Sequence, residues 1–146
     1  MEKKTFVQFI KFVVIGVLNT GVDWIVFFLL RFLPFFQTAE TFAKGISFVV
    51  AATNSFIWNS LWTFRQEFKE GMAGTESKIV RGSSYYIKFM AVSTVGLFLN
   101  ILVFNLARNY LFKGDNNWMR LLALALASFV VIVWNFSVNK WWTYKS

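Results

Sequence analysis

Residues 12–30 read FVVIGVLNTGVDWIVFFLL, an apolar stretch that is interrupted by a single charge, Asp23. Three further runs, residues 45–64, 89–107 and 121–139, contain no charged residue at all. Each run is 19 or 20 residues long, and a helix rising ~1.5 Å per residue crosses a hydrocarbon core of ~30 Å in that length. The sequence therefore predicts an all-α membrane protein with four transmembrane helices.

The overall composition agrees with a membrane protein. Hydrophobic residues make up 57% of the 146 residues and charged residues 15%, whereas about 25% of a soluble domain is charged. The net charge of +8 comes from bases at the ends of the apolar runs, where membrane lipids with anionic headgroups are the expected partners and nucleic acid is not. Because the chain has no cysteine, no histidine, no phosphate-binding loop and no nucleophile beside a base, we expect neither an enzyme nor a cofactor.

The distribution of lysine and arginine predicts the orientation. Ten of these residues lie before the first run, between the second and third runs, or after the fourth, and five lie at the other two connections. Cytoplasmic loops are enriched in lysine and arginine, so both termini are predicted to be cytoplasmic, in a multi-pass protein of the cytoplasmic membrane. The first run is longer than the apolar core of a signal peptide and no small-residue cleavage site follows it, so we expect it to be retained.

The chain also repeats itself. The tripeptide Ile-Lys-Phe at residues 10–12 recurs at residues 87–89, 77 positions later. The second run of each half ends in the same pattern, Asn-x-x-Trp-Thr-aromatic, which begins at Asn59 and again at Asn139. With two helices in each half, both halves enter the membrane from the same side, so the sequence predicts two parallel-repeat helical hairpins.

These repeats predict the domain organisation. We expect one membrane domain over residues 1–146, with hairpin repeats at residues 6–65 and 85–146 joined by a cytoplasmic linker at 66–84. The linker is predicted to hold a short interfacial helix. Residues 113–117 are predicted to form the polar turn of the second hairpin.

Asp23 is the principal candidate for a functional residue. It lies 12 residues beyond Lys11, about 18 Å deeper along a helix. A charge near the bilayer centre costs at least ~2.5–3.5 kcal/mol, so this side chain should face the protein interior or water. Asn19 and Gly16 share its helical face. Two interpretations remain open: a polar path or cation site, and a protonated or paired group that packs helices together.

Asparagines are unusually frequent in the apolar runs. Beyond Asn19, the candidates are Asn54, Asn59, Asn100, Asn135 and Asn139. Amides that hydrogen-bond across membrane helices contribute ~0.6–2 kcal/mol each, so for any single asparagine interhelical bonding is the simpler interpretation. The set as a whole predicts a shared polar interior that can hydrogen-bond sugar hydroxyls or a phosphate.

Four cations are predicted at the cytoplasmic ends of the four helices in turn: Lys11, Arg65, Lys88 and Lys140. Snorkelling and the positive-inside bias account for such a pattern by themselves. A ring of lysine and arginine also suits a lipid phosphate, since both bind phosphate strongly. Both interpretations remain open.

Two segments resemble a known family. Residues 9–23 look like the opening signature of the GtrA-like membrane proteins, and residues 135–144 are similar to the ending of that family's second hairpin. The positions carried over from the family are Gly16, Asn19, Asp23, Asn59, Asn135, Asn139 and Lys140. Ser60 stands where Lys140 stands in the other half, and Ser55 where Asn135 stands, so the first hairpin is expected to contribute less to any phosphate site.

The resemblance implies a function that composition does not. GtrA-like proteins are thought to move polyprenyl-phosphate-linked monosaccharides, such as undecaprenyl-phosphate glucose, from the cytoplasmic to the outer leaflet during synthesis of cell-surface polysaccharides. The resemblance also implies a polyprenyl-phosphate glycosyltransferase as a partner. Our interpretation is a flippase without a nucleotide motor, working as a homo-oligomer or through a groove open to lipid.

Two alternatives are kept beside that interpretation. The first is a membrane anchor or partner subunit of the glycosyltransferase that does not itself transport. The second is a small multidrug-type exporter, which also has four helices and a buried acid. That class usually relies on a glutamate in an inverted dimer, whereas the acid here is Asp23 and the charge bias of ten to five opposes dual topology.

Overall fold

The computed structural model describes residues 3–74, 77–113 and 117–145. Regular structure in these ranges is helical throughout, without a strand, as predicted. The α-helices are α1 (Lys3–Arg31), α2 (Pro34–Thr38), α3 (Glu40–Trp58), α4 (Arg65–Met72), α5 (Lys78–Leu106) and α6 (Asn117–Val138). Residues 75 and 76 of the predicted linker and residues 114–116 of the predicted turn lie outside the described ranges.

Three of the long helices end in a wider turn. π1 (Asn59–Thr63) extends α3, π2 (Ala107–Leu111) extends α5 and π3 (Asn139–Thr143) extends α6. In a π-helical turn the hydrogen bond runs to the residue five positions on, which bulges the helix. Nothing in the residue pattern alone predicts these turns.

Three helical segments are long and apolar enough to cross a membrane: Lys3–Arg31, Lys78–Leu111 and Asn117–Thr143. Most of their large apolar side chains are exposed, as in Leu18 and Phe98, which are both 66% accessible. In a membrane this surface faces lipid, so the fold is that of a multi-pass membrane protein. The remaining apolar run of the sequence falls in α3 and π1, which contain Lys44, Asn54 and Asn59 and are not among these three segments.

The chain forms two compact units, one up to Tyr86 and the other from Ile87 to Lys145. In the first unit α1 and α3 pack against each other as an antiparallel hairpin. The short helix α2, which begins at Pro34, connects them. The buried side of α3 is made of small side chains, Ala43, Ser47, Ala51 and Ala52. Small residues at a helix interface let two backbones approach closely, which is how helices associate in lipid.

The second unit uses the same device. Ala123 and Ala127 are the buried alanines of α6, and Gly96 is the buried glycine of α5. Two larger side chains are also buried: Phe89 near the start of the second unit and Phe136 near its end. Each half of the repeat thus joins its helices through small residues in the middle and aromatic residues at one end.

The linker contains a helix, α4, which confirms the predicted helical segment. Its Glu67 accepts a hydrogen bond from Gln8 (2.8 Å) and forms an ion pair with Lys4 (3.0 Å) on α1. On the other side, the Phe68 ring contacts the rings of Phe56 and Tyr85 edge-on. These contacts hold α4 against the start of α1 within the first unit.

The docking of α4 is expected to depend on pH. Burial raises the pKa of the Glu67 carboxyl, but hydrogen bonds from Gln8, from the backbone and from Lys4, with the charge of Lys4, outweigh burial and lower the pKa from its ordinary value of 4.5. A lowered pKa in the folded state stabilises docking above pH 4.5, and that stabilisation is lost as the pH falls through the lowered pKa.

We expect hydrogen exchange of α4, corrected for intrinsic rates, to be slower at pH 7 than at about pH 2, well below the ordinary pKa of a glutamate. In a Glu67→Gln variant most of this difference should disappear, because the amide does not titrate. Equal protection of the wild-type helix at both pH values would contradict the role assigned to Glu67.

Candidate functional site

The two halves end in the same local structure. The carbonyl oxygen of Asn59 accepts a hydrogen bond from the Phe64 backbone N–H (2.8 Å), and the carbonyl oxygen of Asn139 accepts one from Tyr144 (2.8 Å). Phe64 and Tyr144 are both completely buried. In both halves the repeated pattern Asn-x-x-Trp-Thr-aromatic thus coincides with a π-helical turn closed by a buried ring.

The side chains of the two asparagines are also placed alike. Nδ2 of Asn59 donates to the Ser55 carbonyl oxygen (2.9 Å), and Nδ2 of Asn139 donates to the Asn135 carbonyl oxygen (2.8 Å). Each amide thus bonds the preceding turn of its own helix, where the extra residue of the π-helical turn changes the backbone pairing. The simpler interpretation for each asparagine is a hydrogen bond to another helix. In the described contacts, the side-chain N–H groups of these two asparagines bond within their own helix instead.

Each ending buries polar atoms that have no hydrogen-bond partner among the described residues: Asn59 Oδ1 and Thr63 Oγ1 in the first half, Asn139 Oδ1 and Thr143 Oγ1 in the second. All four side chains are less than 5% exposed. A buried polar atom left unpaired costs about 1–3 kcal/mol, so its retention in two matching places needs a reason. An amide oxygen beside a hydroxyl can accept from and donate to a hydroxyl-rich ligand.

A lysine and a tryptophan accompany each ending. Lys11 Nζ lies 5.3 Å from the centre of the Trp62 ring, and Lys88 Nζ lies 5.9 Å from that of Trp142. These distances are within the range of cation–π attraction. We call the Asn, Trp, Thr and Lys of each half its polar ending: residues 59, 62, 63 and 11, and residues 139, 142, 143 and 88.

The other two predicted cations, Arg65 and Lys140, lie next to the polar endings in the sequence. Lys140 Nζ is 6.0 Å from the centre of the Phe136 ring, in the second unit. Arg65 is exposed at the first residue of α4, in the first unit. A single ring made by all four cations around a lipid phosphate remains a prediction.

Asp23 is paired. Its carboxylate forms an ion pair with Lys44 of α3 and accepts a hydrogen bond from the Ser47 hydroxyl (2.7 Å). The Asp23 side chain is 19% exposed and that of Lys44 is 55% exposed. Of the two interpretations of Asp23, the paired one describes its contacts in this structure, and those contacts also make it part of a charged cluster.

A second polar pair lies one turn away. Asn54 Nδ2 donates to Asn19 Oδ1 (3.0 Å), linking α3 to α1. Gly16, the third predicted residue of this face, is exposed, and its carbonyl oxygen accepts from Thr20 (3.1 Å). We call the residues that join α1 and α3 the polar seam: Asn19, Asp23, Lys44, Ser47 and Asn54.

The second half replaces the polar seam with closer packing. Gly96 stands 77 positions after Asn19, and Asn135 lies directly against it: a Cβ at Gly96 would be 2.6 Å from Asn135 Oδ1. Asn100, the counterpart of Asp23, is half-buried. The position 81 residues after Lys44 is Ala125, so the second hairpin has no counterpart of the ion pair.

A family model described as the GtrA/DPMS transmembrane domain matches residues 11–144, almost the whole chain and both polar endings. The chain belongs to this family. The resemblance of its opening and closing segments to GtrA-like proteins is thereby confirmed.

Among curated proteins, this GtrA/DPMS domain is similar to the bactoprenol-linked glucose translocase of Shigella phage SfII. The two are 32% identical over 87 residues, which cover 60% of this chain and 62% of the relative. The chain thus matches less than two thirds of that relative's length. No solved structure matches the chain.

The sequence patterns do not single out several residues that make these contacts. In the site they are Lys44, Ser47, Thr63 and Thr143, and in the docking of α4 they are Gln8 and Glu67. A clue to Lys44 was available, because Asp23 and Lys44 are almost equally far from Pro34, where the first helix was expected to end. In an antiparallel hairpin, positions equidistant from the turn face one another. The clue to the two threonines was their repetition in the two endings.

The contact between Gly96 and Asn135 yields a test of the second hairpin. In Gly96→Ala the new Cβ would meet the Asn135 amide at 2.6–3.2 Å, so the amide must rotate. We expect a loss of about 1–2 kcal/mol in unfolding free energy, measured in detergent. Gly16→Ala is the matched control, since a Cβ there meets nothing within 4 Å.

The same contact predicts non-additivity. With Asn135→Ala already present, Gly96→Ala should be nearly neutral because the obstructing amide is gone. If the double variant loses the full sum of the two single losses, the close approach is not what destabilises Gly96→Ala.

Proposed function

We propose that this protein translocates a polyprenyl-phosphate-linked monosaccharide across the cytoplasmic membrane, for the synthesis of cell-surface polysaccharide. Its family and the printed name of its phage relative support a lipid-linked sugar as the substrate. The proposal needs no enzymatic step and no cofactor. The protein would change the leaflet in which the substrate lies, and not its covalent structure.

The observation that carries this proposal is the pair of polar endings. Each presents a lysine over a tryptophan beside a buried amide oxygen and a buried hydroxyl without partners in the described structure. A lysine suits the phosphate, an aromatic face suits a sugar ring, and the amide and hydroxyl suit sugar hydroxyls. Lys11, Arg65, Lys88 and Lys140 would receive the phosphate at the cytoplasmic face.

The polar seam would carry the head group further. Two polar pairs follow one another along the first hairpin toward the turn: Asn19 with Asn54, and then Asp23 with Ser47. Such a row of polar side chains within an apolar hairpin can exchange hydrogen bonds with a passing sugar. The isoprenoid tail would remain in the surrounding lipid, against the exposed apolar faces.

The function requires a topology in which both hairpins span the membrane. Residues 40–63 form one continuous helical segment, about 36 Å long at ~1.5 Å per residue, which is enough to cross a bilayer. We propose four spans with both termini cytoplasmic, as the lysine and arginine distribution indicates. A homo-oligomer would supply more interior volume than one four-helix chain.

The test is leaflet exchange in liposomes. Purified protein is reconstituted with a fluorescent polyprenyl-phosphate sugar, and the fraction of probe accessible to an added quencher is followed with time. We expect exchange that requires the protein and that slows about tenfold or more in Asp23→Asn, the loss of one charge-assisted interaction. Asn105→Ala is the matched control, because this exposed asparagine bonds only the preceding turn of its own helix among the contacts described.

The second candidate function is that of a non-transporting partner subunit of a polyprenyl-phosphate glycosyltransferase. It is favoured by α4, which is held against α1 while Arg65, Lys69 and Glu70 stay exposed as a polar surface for another protein. Folded protein that shows no exchange above empty liposomes would favour this function. Loss of surface glycosylation on mutation of α4, with the polar seam intact, would point the same way.

A further inference from the structure

We propose that Lys44 binds the phosphate of the lipid carrier near the turn of the first hairpin, and that Asp23 competes with this phosphate for the lysine ammonium. This inference rests on the proposed substrate. It adds a second phosphate site, distant along the helices from the polar endings. It also reverses the expectation that the first hairpin contributes less to phosphate binding.

The first argument is the geometry of the ion pair. Lys44 is more than half exposed, whereas its partner Asp23 is mostly covered. An ammonium group has three N–H donors. The carboxylate of Asp23 lies on one side of it, and the centre of the Phe27 ring lies 5.8 Å from Nζ. The exposed side of Lys44 is therefore open to a second anion that approaches from the membrane.

The second argument is that Asp23 does not depend on Lys44 alone. The Ser47 hydroxyl donates to the other oxygen of the carboxylate at 2.7 Å. If the lysine turns toward a phosphate, Asp23 keeps this hydrogen bond. The cluster can thus change partners without leaving a carboxylate wholly unpaired, which would be costly in a membrane protein.

The third argument comes from the repeat. The second hairpin has the same helical pairing but places Asn100 and Ala125 at the positions of Asp23 and Lys44. Hairpins of this kind therefore form without the ion pair, so packing does not explain it. Charged side chains within membrane segments are expensive and mark functional sites by default.

The fourth argument is the local electrostatics. Lys44 lies four residues after Glu40, in the second turn of α3, and no side chain caps the N-terminus of that helix. The positive end of the helix dipole adds to the attraction for an anion there. Glu40 itself is engaged in an ion pair with Arg31 at the end of α1.

These features assign Asp23 a defined role. A phosphate reaching Lys44 displaces the lysine from the carboxylate, and the return of Asp23 to Lys44 displaces the phosphate. No bond is made or broken other than hydrogen bonds and ion pairs. Binding and release are thus coupled through one ammonium group, and a variant without the carboxylate should bind the phosphate but release it poorly.

The experiment measures binding apart from transport. The full chain in nanodiscs of uncharged lipid is titrated with a short-chain polyprenyl phosphate, and the bound fraction is read by native mass spectrometry. Four proteins are compared: wild type, Asp23→Asn, Asp23→Asn/Lys44→Gln and Asp23→Asn/Lys44→Arg. The Asp23→Asn background avoids stranding a carboxylate when the lysine is removed.

We expect Asp23→Asn to bind at least as tightly as the wild type, because the competing carboxylate is gone. Adding Lys44→Gln should weaken binding about tenfold or more, the loss of one hydrogen bond to a charged group, and Lys44→Arg should preserve it. A fifth protein, Asp23→Asn/Lys113→Gln, changes an exposed lysine of the second unit and should bind as Asp23→Asn does. Equal binding by Asp23→Asn and Asp23→Asn/Lys44→Gln would overturn the inference.

Three further results separate the possible failures. If phosphatidylglycerol displaces the probe as well as unlabelled polyprenyl phosphate does, Lys44 serves bulk lipid, and the assignment to the carrier is wrong. If binding depends on Lys44 but the wild type moves no lipid-linked sugar in liposomes, the site stands and the proposed translocation fails. If the wild type transports and the lysine variants bind as it does, translocation stands and the site fails.

Discussion

Replacing Lys44 by methionine is expected to lower the unfolding free energy of the protein in detergent by about 1–3 kcal/mol, because the partly buried Asp23 carboxylate loses its ion pair and keeps only the hydrogen bond from Ser47. Asp23 lies in α1, where α1 pairs with α3, is 19% exposed and forms an ion pair with Lys44. Methionine retains most of the length and the apolar stem of lysine. The loss would therefore report the stranded carboxylate and not a cavity.

The second change tests that explanation. Asp23→Asn in the Lys44→Met background removes the stranded charge while leaving an oxygen able to accept from Ser47, so most of the lost stability should return. Lys113→Met is the control for removing an exposed lysine, and it should change stability by less than about 0.5 kcal/mol. If the double variant is as unstable as Lys44→Met, the ion pair does not account for the loss. Unfolding by sodium dodecyl sulfate, followed by tryptophan fluorescence, measures all three.

The other large effect is expected at the two buried rings. Phe64→Ala and Tyr144→Ala should each cost about 3–5 kcal/mol, the usual range for deleting a fully buried aromatic side chain. Both rings are completely buried at the end of a π-helical turn, and the Phe64 ring lies 6.2 Å from that of Phe12. Their loss should open the endings in which the buried asparagines and threonines lie.

Neighbouring exposed residues are the controls for these two variants. Leu61 is 58% exposed and Trp141 is 62% exposed, so their replacement by alanine should have a much smaller effect on folding. Because both rings are completely buried at matching places of the two halves, the two losses are expected to be of similar size. A small loss in Tyr144→Ala with a large one in Phe64→Ala would show that the matching local structures do not carry matching stability.

The repeat has a physical consequence for function. Both halves keep the polar ending, whereas the positions of Asp23 and Lys44 in the first half are occupied by the uncharged Asn100 and Ala125 in the second. A chain with two equivalent endings and one seam suits a substrate that is recognised by its head group in either half and then passes along one of them. The family relationship supports the substrate class, and the seam supplies a reason why the two hairpins are not interchangeable.

Much of this structure follows from the sequence. Four apolar runs of 19 or 20 residues predict long helices, because a backbone in lipid must satisfy its hydrogen bonds internally. The matching segments at residues 10–12 and 87–89 predict two similar halves, and a helix in the linker was also expected. The frequency of asparagine in the apolar runs makes Asn59 and Asn139 candidate site residues, and both are buried at equivalent places of the two halves.

Hydropathy and spacing along one chain are thus enough to predict the helical membrane class, the repeat and most of the polar positions. They do not predict that Asp23 pairs with Lys44, that Asn54 meets Asn19, or that Glu67 anchors α4 to α1; these contacts appear only in the folded chain. Those pairings depend on the register between two antiparallel helices. Register is fixed by how the turn at Pro34 and the small side chains of α3 let the backbones approach, a property that no single helix contains.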